Sequence, residues 1–141
     1  MIESVDTFRL LKTINSEAAK IQRVIDCLLQ IHIAEEETKF GFSMAEILEM
    51  VQSEEFLRMN YIRLCGVMGM ATFTEDTGQV GKEFRYLTTC FYELKDKYFK
   101  DRNDFKEISM GMSGDYQIAV REGSTIVRIG SLIFGERGKN K

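Results

Sequence analysis

A chain of 141 residues with 44% hydrophobic residues and a formal net charge of −3 is long enough for one globular domain with a real core. It carries no Lys/Arg cluster, so the electrostatic footprint of a DNA or RNA binder is excluded. No apolar run approaches the length of a bilayer span, and Met1-Ile-Glu-Ser-Val-Asp6 bears an acid in place of a basic leader, so a cytoplasmic chain with no membrane partner is expected.

After Met1, the segment Ile2 to Asp6 reads as the end of a strand, with Asp6 placed to cap the helix that follows. Leu11, Ile14, Ala18 and Ile21 then fall at helical spacing. The apolar run Val24 to Ile33 suits a strand covered on both faces, as in a parallel sheet. Ala34 to Phe42 is polar and loop-like. Ser43-Met-Ala-Glu46 has the form of a capping box, opening a helix with Met44, Ile47, Leu48 and Val51 inward.

Tyr61 to Met70 reads as a third strand, whose glycines at 66 and 69 allow close backbone approach. Asp76 to Tyr98 puts Val80, Phe84, Leu87, Phe91, Leu94 and Tyr98 on one stripe of a long helix, weakened at its start by Gly78 and Gly81. Phe105 to Met112 is a fourth strand, Asp115 to Glu122 a short helix closed by Gly123, and Thr125 to Gly130 the last strand. Strict alternation of strand and helix predicts right-handed βαβ units and a parallel sheet over residues 1–137, with 138–141 a loose tail.

The cysteines at 27, 65 and 90 are odd in number and far apart, which predicts reduced, buried thiols. With one histidine in the chain, a His-based metal site has little to build on, and no metal is expected.

In such a fold the chemistry gathers at the C-terminal ends of the strands. There the chain places Ser109-Met-Gly-Met-Ser-Gly-Asp115 and, shortly after, Arg128-Ile-Gly-Ser131. Small residues at these ends either make tight turns or leave backbone N–H groups open to an anion. Ser113 fits both readings, as a helix cap or as a phosphate ligand. Arg128 lies inside the apolar run Ile126 to Ile129, where an unpaired charge is costly. It needs an anionic ligand, a ring acceptor, or an internal acid such as Asp26, Glu107 or Asp115. His32 is either a hydrogen-bonded structural residue or an acid–base group. Met68, Met70, Met110 and Met112 read as core or pocket lining, and Glu35-Glu-Glu37 as a solvated loop bordering that end of the fold.

Four motifs, Gln30-Ile-His-Ile-Ala-Glu-Glu-Glu-Thr-Lys-Phe-Gly-Phe42, Cys65-Gly-Val-Met-Gly-Met70, Ser109 to Asp115, and Glu122-Gly-Ser-Thr-Ile-Val-Arg-Ile-Gly-Ser-Leu-Ile-Phe-Gly-Glu-Arg137, resemble in order the YggS-like pyridoxal phosphate homeostasis proteins. The resemblance implies a (β/α)8 barrel similar to the N-terminal domain of alanine racemase. It also implies binding of pyridoxal 5′-phosphate (PLP), which the family is thought to buffer or deliver, with no established catalytic reaction. Carried onto this chain, it places the phosphate on Ser113, Gly130 and Ser131, the pyridine nitrogen against Arg128, and Met110 and Met112 around the pocket. The match departs from the family at His32 (usually Asn), at Phe40, and at the helix glycines 78 and 81.

The resemblance covers the C-terminal half of such a protein, beginning inside the fourth strand. The preceding half, with the lysine that forms the Schiff base, is absent from this sequence. The expectation is therefore a half barrel that binds PLP or phosphate weakly and non-covalently, with no catalytic residues. Its uncovered edges would be closed by a second copy about a twofold axis or by a separate N-terminal half. An open flavodoxin-like sheet is the alternative fold. A ligand-free structural fragment or engineered half barrel, and a racemase-like PLP enzyme using His32, are the alternative functions.

Overall fold

The structure, a computed structural model, describes residues 1–36 and 40–135. The expected tail at 138–141, Glu37 of the acidic loop and Arg137 of the last motif lie outside the described residues.

The chain runs β1 (Ile2–Val5), α1 (Phe8–Lys20), β2 (Ile25–Gln30), α2 (Met44–Gln52), α3 (Glu54–Leu57), β3 (Ile62–Met68), α4 (Thr77–Tyr98), β4 (Glu107–Met112), α5 (Tyr116–Arg121), β5 (Ile126–Arg128) and α6 (Ser131–Phe134). The five strands form one sheet in the order β1-β2-β3-β4-β5, and every neighbouring pair is parallel. A doubly wound sheet reverses its strand order and carries helices on both faces. Here the order is sequential, and one core cluster joins strand residues Val5, Leu29, Leu64, Val67, Ile108 and Met110 to Leu11, Ile47, Phe84, Leu87, Leu94 and Ala119 of the helices. The flavodoxin-like alternative is thereby excluded, and the arrangement is five strands and their helices of a (β/α)8 barrel.

Strand alternation divides each strand between this helix-side core and the opposite, inner face. On β2, Ile25, Cys27 and Leu29 belong to the helix side, whereas Leu28 joins Cys65 and Met68 of β3 in a small apolar cluster on the inner side. Glu3, Asp26, Arg63, Ser109 and Arg128 make much of the rest of this face polar. Asp26 of β2 accepts a hydrogen bond from Arg63 of β3 at 2.6 Å, and this guanidinium contact holds the Asp26 carboxyl below its usual range.

The helix starts follow their local chemistry. Ser43 and Glu46 form the reciprocal capping box at α2, and the Asp76 carboxylate accepts from the N–H groups of Gly78 and Gln79 at the head of α4. These two bonds secure the glycine-containing first turn. At α1 the cap is Thr7, whose hydroxyl accepts from Leu10 N–H at 3.2 Å; Asp6, the expected cap, stands one residue too early. Two short helices, α3 and α6, carry too few residues for a legible period. Ile21, expected on the buried stripe of α1, is the C-cap residue and is exposed.

Gly66 in β3 has φ +151°, and a Cβ there would lie 1.9 Å from the Glu107 carbonyl oxygen of β4. This glycine lets the middle strands approach, and the β2–β3 register shifts beside it, between Cys27 and Leu28. The three cysteines are free and buried. Burial pushes the Cys27 thiol up to about 11 and raises those of Cys65 and Cys90.

Candidate functional site

The site is built where β4 and β5 end. Met112 and Arg128 are register partners, so the turn after β4 and the segment after β5 leave the sheet side by side. The turn is held by Asp115, whose carboxylate accepts from Met112 N–H at 2.6 Å. Gly111, at φ +96°, supports it from below: a Cβ there would lie 2.6 Å from the Ala119 methyl, so only glycine lets α5 sit this close to the strand end.

From this turn the Ser113 hydroxyl oxygen reaches across to the next loop. It accepts from the N–H of Gly130 at 3.2 Å and, more loosely, from the N–H of Leu132 at 3.4 Å. Ser113 is therefore not the cap of α5; Asp115 occupies that position and makes no side-chain cap bond. Gly114 and Gly130 have nothing within 4 Å of an added Cβ, so the space over both loops is open. A cleft of about 520 Å³ borders it, lined among others by Thr77, Ser113, Gly114, Tyr116, Arg121 and Leu132. The Ser113 hydroxyl and the Gly130 and Leu132 N–H groups thus meet under open space at the ends of β4 and β5, with Ser131 between the last two in the chain.

Arg128 lies below these groups on the inner face. Nη1 donates to the Ser109 hydroxyl at 2.8 Å and Nη2 to the Gly69 carbonyl at 3.1 Å. Burial pulls this guanidinium down from its usual value, opposed by the nearby charges of Glu3 and Asp115. Among the described residues no carboxylate forms an ion pair with it. The expected acidic partners are engaged elsewhere: Asp26 with Arg63, Glu107 as acceptor from the Thr125 hydroxyl at 2.7 Å, and Asp115 with the Met112 amide. The remaining acid is Glu3 of β1, which accepts from the Ser109 hydroxyl at 2.6 Å. Sequence reasoning missed Glu3; its only signal is a carboxylate at an inner position of a short strand.

The other expected residues separate. Met112 stands at the site and is 38% exposed, whereas Met110 is fully buried in the helix-side core. Met110, expected around the pocket, is turned by strand alternation away from the inner face occupied by Ser109. His32 lies beyond β2, with β3 and β4 between it and β5, and its Nε2 is against the Glu36 carbonyl at 3.1 Å. Gln30 donates to the Phe40 carbonyl at 2.7 Å. Both therefore hold the loop after β2.

The profile of the family described as alanine racemase, N-terminal domain, matches residues 1–138. The chain belongs to that family. Within it, the sequence is 36% identical over 138 residues to a pyridoxal phosphate homeostasis protein of Aquifex aeolicus, covering 97% of this chain and 58% of that protein. A crystal structure of an unknown protein from Bifidobacterium adolescentis matches with TM-score 0.84 and 31% identity, over 94% of this chain and 52% of that one. PipY of Synechococcus elongatus, solved with PLP bound, matches with TM-score 0.81 and 25% identity, over 95% of this chain and 60% of that one. The chain spans little more than half the length of the curated relatives it matches. Those relatives are named as homeostasis proteins, not as enzymes. Among the described residues, no helix is long and apolar enough to cross a membrane.

Proposed function

We propose that this chain is a PLP-binding module of the homeostasis type, which holds the phosphate in the Ser113/Gly130/Ser131 cradle and meets the pyridine ring with Arg128. The observation that carries the reading is the convergence of the Ser113 hydroxyl with the Gly130 and Leu132 amides under open space, one strand register from Arg128. The phosphate oxygens would replace the single serine oxygen as acceptor for those amides, and the Ser113 hydroxyl would turn to donate. Binding is non-covalent in this proposal: among the described residues no lysine stands at the C-terminal end of a strand. No catalytic group is assigned, since His32 is engaged with a backbone carbonyl and a racemase needs a lysine or an acid–base pair in the pocket.

The test is a titration of PLP into the wild type, Ser113→Ala and Arg128→Ala, with inorganic phosphate as competitor. Saturable binding displaced by phosphate, weakened about tenfold or more in each variant, is expected from loss of hydrogen bonds to charged groups. Absence of saturable binding, or equal affinity in all three proteins, would overturn the proposal. A ligand-free structural role is the second reading, favoured by one observation: Arg128 already has internal acceptors, and no buried side-chain polar atom among the described residues lacks a partner.

Among the described residues β1 and β5 are the sheet's edges with no further strand paired to them, and they belong to the same proposal, because a barrel wall with two open edges calls for a complement. Two five-stranded copies would bring ten strands, more than the eight of the family barrel, so a three-stranded complement carrying the lysine fits better than twofold closure. Sedimentation at micromolar concentration decides: a monomer that unfolds cooperatively without a partner removes the need for either. The buried free thiols are in keeping with a cytoplasmic setting.

A further inference from the structure

The ring end of the site rests on a line of hydrogen bonds that crosses the inner face of the sheet. Glu3 is on β1 and Arg128 on β5, the two opposite edges of the sheet, and Ser109 on β4 joins them. The Ser109 hydroxyl donates its only proton to the Glu3 carboxylate at 2.6 Å, which leaves its lone pairs to accept from Arg128 Nη1 at 2.8 Å. Gly69, just past β3, accepts from Nη2 at 3.1 Å. Two of the five guanidinium N–H groups are thus committed, and the plane of the fork is set by two acceptors on different strands. The other three have no partner among the described residues and are free to reach an acceptor beyond the strand ends.

We propose that Glu3 and Ser109 are positioning residues for Arg128. Glu3 orients the Ser109 hydroxyl, Ser109 and the Gly69 carbonyl orient the guanidinium, and the guanidinium meets the heteroaromatic ring of the ligand. Ser109 is fully buried and Glu3 half-buried, so neither is placed to touch the ligand in the cradle itself. The inference rests on the PLP reading and adds a division of labour to it. The cradle at Ser113 and Gly130 recognises phosphate, whereas the line from the first strand serves only ring recognition.

The experiment compares PLP with inorganic phosphate as probes of the wild type, Ser109→Ala, Glu3→Ala, Glu3→Gln and Arg128→Ala, each checked for folding by circular dichroism. Ser109→Ala and Glu3→Ala are expected to weaken PLP binding about tenfold while phosphate binding stays within about twofold. Glu3→Gln keeps an acceptor oxygen for Ser109 and is expected to retain most of the PLP affinity. In an Arg128→Ala background, Ser109→Ala should have no further effect, because its influence passes through the guanidinium. Equal losses for PLP and phosphate, or a full Ser109→Ala effect without Arg128, would overturn the positioning role and leave the cradle standing. Failure of the wild type to bind either probe would overturn the PLP reading and this proposal together.

Discussion

The two faces of the sheet are made from the same strands and serve different ends. The helix-side face is continuous and apolar, and its fully buried members include Leu11, Leu29, Leu64, Phe84, Leu94 and Phe105. The inner face has one small apolar cluster, Leu28, Cys65 and Met68, among Glu3, Asp26, Gln30, Arg63, Glu107, Ser109 and Arg128. Burial of large apolar side chains on the first face supplies the stability of the unit. The second face holds charges through hydrogen bonds across strands, a costly arrangement whose return is a set of oriented donors at the strand ends. Changes on the helix side should therefore cost folding, and changes on the inner face should cost binding.

The sharpest way to break that division is in the core. Phe105 stacks on Phe91 and Phe99 with ring centroids 5.3 and 4.2 Å apart, and Phe105→Ala should lower unfolding free energy by about 3–5 kcal/mol in chemical denaturation. Gly66→Ala is expected to cost roughly 2–5 kcal/mol, as backbone strain at φ +151° adds to the clash with the Glu107 carbonyl. A wild-type denaturation midpoint in either variant would show that the faces are not distinct in this way. Ser43→Ala, which removes one half of the capping box on the exposed side of α2, should cost about 1 kcal/mol and leave ligand binding unchanged.

Two smaller effects sharpen the comparison. The carboxyls of Asp26 and Glu46 are lowered in the fold, by hydrogen bonds from Arg63 and from the Ser43 backbone respectively. Their contribution to stability is present above the unfolded carboxylate range near ~4 and is lost as pH falls through their lower folded values. An acid titration of stability should therefore slope downward below about pH 4, and less steeply in Asp26→Asn. The thiols test burial directly. Cys27, with its pKa at about 11, should resist alkylation at neutral pH in the folded protein and react on denaturation. Fast native labelling would mean that the helix-side core opens readily.

Much of this was legible in the order of residues. Apolar runs and 3.6-residue stripes placed the five strands and the four longer helices, and the Ser43/Glu46 start signal is a real capping box. The meeting of Ser113 with Gly130 follows from the rule that a parallel sheet gathers its loops at the C-terminal ends of the strands. Three points were not legible. Met110 and Met112 look alike in sequence and share the same strand parity, and only the tertiary structure shows residue 110 in the helix-side core and residue 112 exposed beyond Gly111 at φ +96°. Ser113 fits a helix cap or a phosphate ligand by sequence alone, and its hydrogen-bond partners lie 17 and 19 residues further on. The internal acids that sequence offers Arg128, Asp26, Glu107 and Asp115, do not include Glu3 of β1, which reaches it through Ser109, 106 residues away.

What the sequence determined by itself was local: element type, capping, and the need of a charge in an apolar strand for a partner. These depend on neighbours within a few positions, where spacing and side-chain chemistry suffice. The identity of that partner, the sense of each inner position and the curvature that brings the two edge strands' side chains onto one hydrogen-bonded line were decided only by tertiary structure. Sheet order and register sum the geometry of all five strands, and no single segment contains them.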